Sequence, residues 1–431
     1  MMKLLNVKGS NDFLPREQLI RNKIIKILTK NFESYGYLPV ETTTLCYYDL
    51  LASKYAGGAE ILKEVYKLTD QGNRELGLRY DLTVPFSKII SMNLNKGIEL
   101  PFRRYEIGKV YRDGPVKLGR DREFYQCDVD VCGIGNILAE AELMTMTSNC
   151  FKELGIDIYI EWNNRKLLSG LIMEANIDND IVNRVILSVD KLAKIGEDGV
   201  KKELSTYNID DNSLNKLFNY FKMNINELKE MFKNSDNSLL LEGINEVEEL
   251  SNYLNKLGIS ECRFTPYLAR GLEIYTGTVW EVFDKEQRIT SSIGGGGRYD
   301  KIITNFINDG NEYPAVGMTF GLVPIYEILS MGEDYNDNRL YDLYIIPMNE
   351  ELYSLRLANE LRNKGIRVIV EFNNKKVKKA FNWASRNNIP YVVVIGDTEV
   401  NSNIINIRDM INSKDISVST NDIDKIIDII K

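Results

Sequence analysis

The sequence predicts an α+β domain carrying a helical stretch, followed by a small α/β domain. Three observations carry this prediction. Residues 1 to about 165 mix helical periodicity with alternating, strand-like runs, and strand texture returns at Cys262. Between them, from about 166 to 256, the chain reads as polar helices rich in Asn, Lys and Glu. After the polar, acidic break "MGEDYNDNRL", the remaining chain alternates strand and helix.

Taken in order, Ile24 to Tyr35 has helical spacing. "ELGLRYDLTVPF" alternates like a strand, with Leu76, Leu78 and Tyr80 on one face and Arg79, Asp81 and Thr83 on the other. "REFYQCDVDVCG" does the same, setting Gln126, Asp128 and Asp130 against Tyr125, Cys127, Val129 and Val131. Either strand alone fits a solvated sheet face. Together they fit a pocket for a small cationic or zwitterionic ligand, because an ammonium needs carboxylate and amide acceptors. Between them, "YRDGPVKLGRDREFYQ" reads as a hairpin turning at Asp113-Gly114-Pro115. Arg112, Lys117, Arg120 and Arg122 cluster around that turn, as a charged tip or as an anion clamp.

"NINELKEMFK" and "EVEELSNYLNKLG" carry the helical stretch. In "LARGLEIYTGTVWEVF", Arg270 sits beside a glycine among apolar residues and needs an anion, either Glu273 or a ligand. "SSIGGGGRYD" lacks the Lys and Ser/Thr of a P-loop; its glycines either admit a ligand close to backbone or form a turn. "AVGMTFGLVPIYEIL" reads as strand, glycine and helix, with Pro324 in the first helical turn. A helix start suits an anion, yet the next charge after Gly321 is Glu327.

The tail runs "YDLYIIPM" strand, "EELYSLRLANELRNKG" helix with a glycine C-cap, "IRVIVEF" strand, "KKVKKAFNWASRNN" helix and "PYVVVIG" strand. This βαβαβ order predicts a small, largely parallel sheet. Lys375, Lys376, Lys378, Lys379 and Arg386 gather there, as a solvated face or a nucleic-acid contact.

Composition narrows the chemistry. The 431 residues are 44% hydrophobic and 27% charged, which fits a globular protein of two or three domains. A net charge of −8 argues against general nucleic-acid stickiness but leaves room for a local basic patch. There is no histidine, so the commonest metal ligand and general base are missing. Catalysis falls to carboxylates, arginines, tyrosines and bound ions. The five cysteines are scattered and form no CxxC, which predicts reduced thiols in a cytoplasm and no zinc ribbon. No apolar run has the length of a membrane span, and "MMKLLNVKGSNDFLP" meets charge too early for a secretory signal.

Taken together, "KGSNDFLP", "LRYDLTVPF", "YRDGPVKLGRDREFYQCDVDVCG", "LARGLEIYTGTVWEVF" and "GGGGRYD" resemble the histidyl-tRNA synthetases, a class II aminoacyl-tRNA synthetase family, and most of all its eukaryote-like branch. The resemblance implies a catalytic domain over residues 1–330, built on a six-stranded antiparallel sheet with a helical insertion at 166–256. It implies a linker at 331–340 and an α/β anticodon-binding domain at 341–431. It implies ATP, L-histidine and tRNA(His) as substrates, Mg²⁺, a cytoplasmic homodimer with motif 1 within about residues 35–60, and no membrane.

The resemblance also assigns roles. Arg112 corresponds to the motif 2 arginine on the α-phosphate, and Arg270 to the family's special catalytic arginine. Asp81, Thr83 and Gln126 would bind the α-ammonium of histidine. Asp130 and Tyr275 would bind the imidazole, Tyr299 would line the same histidine pocket, and Arg120 and Gly321 would lie on the ATP side. Three positions depart from the pattern. Val323 and Pro324 stand where motif 3 carries its arginine, the carboxylate spacing after Arg112 is altered, and Ile274 replaces an aromatic. These departures leave a second reading, a histidine-sensing paralogue such as a regulatory subunit of ATP phosphoribosyltransferase.

Overall fold

The computed structural model describes residues 3–53, 63–270, 274–332, 339–373 and 375–431. The chain divides into two compact units: Met1–Asp12 with Arg21–Leu329, and Phe13–Ile20 with Ser330–Lys431.

The first unit holds β1 (Leu38–Pro39), β2 (Leu45–Tyr47), β3 (Lys67–Thr69), β4 (Glu75–Leu78), β5 (Phe102–Tyr111), β6 (Glu123–Cys132), β7 (Ile158–Asn164), β8 (Cys262–Phe264), β9 (Thr278–Asp284), β10 (Gly294–Arg298) and β11 (Ala315–Gly321). Among the described residues, eight of these form one sheet in the order β1-β5-β6-β11-β10-β9-β7-β8. The six inner strands are antiparallel throughout. The resemblance implied that six-stranded core. The short edge strands β1 and β8 add one parallel pairing at each end. β2, β4 and β3 form a separate antiparallel ribbon.

Helices cover the sheet because their apolar residues recur on one stripe. Pro15–Ser34 buries Ile24, Leu28 and Phe32, and Phe32 meets Phe320 of β11 at 5.4 Å. Leu138–Leu154 buries Leu143, Met146 and Cys150 on its inner side and ends on Gly155, whose φ of 72° is left-handed. The stretch between β7 and β8 is helical, as the sequence predicts. Two of its helices, Arg165–Glu174 and Ser238–Lys256, touch so closely at Gly170 and Gly243 that a Cβ on either would strike the other's backbone.

Two local expectations fail. The strand in "ELGLRYDLTVPF" stops at Leu78, and Thr83–Asn93 is a helix. Asp81 explains the change: its Oδ1 accepts the Val84 N–H at 3.2 Å, satisfying a donor exposed at the helix start. Asp81 and Thr83 are therefore presented by a helix entry, and Arg79 points away into the sheet. In the second unit, β12 (Leu343–Pro347) pairs in parallel with β13 (Val368–Val370) and β14 (Tyr391–Ile395), as expected. β15 (Ile404–Asp409) and β16 (Lys414–Ser419) then add an antiparallel hairpin, so this five-stranded sheet is mixed. The alternation in "IINIRD" and "KDISVS" carries it.

Among the described residues no helix is long and apolar enough to cross a membrane. The five cysteines are free thiols, four of them buried. The predicted linker falls largely, and motif 1 partly, on residues 333–338 and 54–60, which lie outside the described residues.

Candidate active site

A cavity of about 540 Å³ opens on the face of the large sheet. β6 forms its acidic wall. Gln126, Asp128 and Asp130 alternate along that strand and face the cavity, as the sequence pattern predicts. The neighbouring strands set their surroundings by register. β5 places Glu106 opposite Asp128 and Arg104 opposite Asp130, while β11 places Thr319 opposite Asp128 and Gly317 opposite Asp130.

Asp130 is held from two sides. Tyr299 Oη donates to its Oδ1 at 2.5 Å, and Arg104 Nη2 lies 2.8 Å from its Oδ2. Arg104 has no solvent exposure; it also donates to the Leu82 carbonyl and packs over the Phe86 ring. Behind it, Glu106 accepts from Arg79 Nη1 and from Thr42 Oγ1, each at 2.8 Å. Buried charges without partners are expensive, and this network alternates sign through Arg79, Glu106, Arg104 and Asp130. Burial, followed by the Asp130 charge, pushes the Tyr299 hydroxyl well above its ordinary value, which keeps it a donor.

Asp128 differs from Asp130. Burial, followed by the Asp130 charge, pushes it up to about 7. Thr319, opposite it on β11, partly offsets that rise. Its Oδ1 is buried with no partner among the described residues, and so is Gln126 Oε1.

The opposite end is cationic. Arg112 Nε donates to the Tyr80 carbonyl at 3.0 Å, and its guanidinium lies over Phe124. Arg120 pairs with Glu64 at 2.7 Å. Arg120 and exposed Lys117 stand on the hairpin between β5 and β6, and both line the cavity. At that hairpin's tip, a Cβ on Gly119 would lie 4.0 Å from Pro324 Cβ, so the tip packs over the start of the helix Leu322–Ser330. Arg270 reaches in from the third side, 5.3 Å from the Tyr275 ring centre and 3.4 Å from the Trp280 carbonyl oxygen. Glu273, one of its two candidate anions, lies outside the described residues; the carboxylates whose charge it feels are Glu281, Asp190 and Asp128.

The cavity thus brings together Asp81, Thr83, Arg112, Arg120, Gln126, Asp130, Arg270, Tyr275 and Tyr299, every predicted site residue but one. Gly321 is absent from its lining; a Cβ there would come within 2.7 Å of Pro324 Cγ, so its smallness serves packing. The sequence reading gave no role to Arg104, Asp190 or Glu281. Glu281 alternates outward in "TVWEVF" and was legible; Asp190 arrives from the end of an insertion helix and carries no local signal.

The family model for histidyl-tRNA synthetase matches residues 9–325, and the model for an anticodon binding domain matches 342–431. The chain belongs to the histidyl-tRNA synthetase family. A relative named histidine–tRNA ligase 1 from Bacillus cereus is 48% identical over 424 residues, 97% of this chain and 98% of the relative. A histidine–tRNA ligase from Clostridium tetani is 33% identical, covering 97% of each chain. Among solved structures, histidyl-tRNA synthetase from Nostoc sp. PCC 7120 superposes with a TM-score of 0.86 at 26% identity, over 99% of this chain and all of the other. The eight-stranded sheet and its cavity therefore lie wholly within the histidyl-tRNA synthetase match.

Proposed function

We propose that this chain is a histidine–tRNA ligase that activates L-histidine with ATP to histidyl-adenylate and transfers the histidyl group to the 3′ end of tRNA(His). One observation carries this reading. A single cavity joins an acidic end, suited to a zwitterionic amino acid, to a cationic end, suited to phosphates, on a chain of this family.

The chemistry follows from that polarity. Asp130, paired with Arg104 and oriented by Tyr299, offers its remaining lone pairs to an imidazole N–H. Asp81, Thr83 and Gln126 take the α-ammonium, which leaves the substrate carboxylate directed at the arginines. That carboxylate attacks the α-phosphorus of ATP, and pyrophosphate leaves. Charge grows on the phosphoryl oxygens, and Arg112 and Arg270 lie where it grows. The hairpin that carries Lys117 and Arg120 packs at Gly119 over the helix start that lacks the motif 3 arginine, and we assign the outer phosphates to these two cations. Among the described residues no three acidic or cysteine side chains cluster as a metal cage. Mg²⁺ in nucleotide sites is held mainly by phosphates with one or two carboxylates; Glu281 and Asp190 are the carboxylates beside Arg270 that would complete its shell. It would neutralise phosphate charge.

We further read residues 1–330 as the catalytic domain, 331–340 as a linker and 341–431 as the anticodon-binding domain, in a cytoplasmic homodimer. The sensing paralogue is the weaker reading, because this chain keeps Arg270 and the anticodon-domain match.

Purified protein should catalyse histidine-dependent ATP–pyrophosphate exchange. Arg270→Ala and Arg112→Ala should each lower it by about 10³-fold or more with the fold intact. Histidine binding without exchange in the wild type would overturn the reading in favour of a sensor.

A further inference from the structure

On the acidic wall, Asp128 stands between Gln126 and Asp130, only 4% exposed, and faces the cavity. Gln126 Nε2 donates to Thr319 Oγ1 at 3.3 Å. Thr319 also stands directly opposite Asp128 on β11, so one hydroxyl lies beside both side chains. Gln126 Oε1 and Asp128 Oδ1 are both acceptors, both buried and both without a partner among the described residues. An orphaned buried acceptor costs about 1–3 kcal/mol, and more when charged. Two of them on one wall call for a ligand bearing several donors.

Charge points the same way. Around Asp128, Arg79, Arg104 and Arg270 meet Glu106, Asp130, Asp81 and Asp128 itself, three guanidiniums against four carboxylates. An ammonium brings three N–H donors and the missing positive charge.

We propose that Asp128 is a further substrate-binding residue, which with Gln126 accepts the α-ammonium of histidine and so makes the site select amino acids with a free, charged amine. This rests on the histidine-activating reading above. It gives a role to a carboxylate that the resemblance left without one and that the strand pattern placed only in a general ammonium-binding face.

The groups facing Asp128 are Arg104 and Glu106 from β5, Asp130 from its own strand, Thr319 from β11, Asp81 from the helix entry and Arg270 from the segment before β9. With Asp128 near 7, its acceptor form gains population as pH rises through neutrality.

The test is calorimetric binding to wild type and to Asp128→Asn, which keeps shape and removes charge. Histidine and histidinol, which carry the ammonium, should bind the variant about ten- to a hundredfold more weakly. 3-(Imidazol-4-yl)propionate, which lacks it, should bind as before or tighter. The wild-type to variant affinity ratio for histidinol should grow as pH rises through about 7. Equal weakening of all three ligands, or no weakening of histidinol, overturns the proposal. Should Asp128→Asn fail to fold, Thr319→Val removes the hydroxyl that lies beside the same two acceptors, and it must show the same preference between histidinol and the propionate or the proposal falls. Wild-type protein that binds no histidine would refute the histidine reading itself; a normal wild type with an unaffected variant refutes only the role of Asp128.

Discussion

Tyr299 and Arg104 fix both oxygens of Asp130, so this carboxylate cannot swing toward a misplaced ligand. Discrimination in such a pocket comes from polar groups that a wrong ligand leaves unpaired. Tyr299→Phe should therefore raise the KM for histidine about tenfold or more and leave the KM for ATP within about twofold, read by pyrophosphate exchange with each substrate varied. At this scale much of the site was legible. Period-two alternation in "EFYQCDVDVCG" placed Gln126, Asp128 and Asp130 on one face, and the strand obeys it. Asp81 and Thr83 were identified as site residues on a mistaken strand, because the pattern "RYDLT" hides an aspartate that caps the next helix. Arg104 was illegible for another reason. Its partner lies across a strand pairing, and no run of residues announces which strand will be its neighbour.

β10 shows what an element can do with almost no side chains. A Cβ on Gly295 would stand within contact distance of Arg270 Nη1 and 2.9 Å from the Trp280 carbonyl oxygen; one on Gly297 would strike the Tyr275 ring at 2.7 Å. The glycines are the space in which Arg270 and Tyr275 lie. The backbone oxygen cannot retreat without breaking the β9–β10 pairing, so Gly295→Ala must displace the arginine. We expect at least about a 10²-fold loss in kcat for pyrophosphate exchange with an unchanged far-ultraviolet circular dichroism spectrum. In the sequence this run offered only two loose readings, because glycine has no polarity to alternate and periodicity is the signal by which strands are found. The hairpin after Arg112 was half legible: its four cations were plain, but the chain reverses at Leu118-Gly119, between paired Lys117 and Arg120, and not at Asp113-Gly114-Pro115, and its tip packs over Pro324.

Across the whole molecule, the proposed division of labour gives activation to the first unit and tRNA contact to the second, which matches an anticodon binding domain. In the second unit, Lys376, Lys378, Lys379 and Arg386 are exposed on and beside the helix Val377–Arg386, while Lys375 is engaged with Glu371 at 2.8 Å and with the Trp383 ring. Lys378→Glu with Lys379→Glu should leave pyrophosphate exchange intact, raise the KM for tRNA by about tenfold and flatten its dependence on salt, measured as aminoacylation over a range of ionic strength. The order of textures along the chain, mixed, helical, mixed and alternating, foretold this architecture, since each follows from local periodicity. The parallel edges and the closing hairpin did not show, because edge strands of two or three residues are too short to repeat.

β10 also has a consequence for the sheet as a single body. It is the seam between β5, β6 and β11 on one side and β9, β7 and β8 on the other. The carboxylates of the acidic wall stand on the first side, and Arg270 belongs to the second. Glycine-rich strands specify their alignment weakly, so nothing within the seam stops it from sliding until Arg298. That side chain grips Glu140 with Nε at 2.7 Å and Nη2 at 2.8 Å, and it reaches the carbonyls of Ile134 and Asn136. It acts as a dowel: a contact on the far side of the strand from the cavity decides how Arg270 is set against the acidic wall.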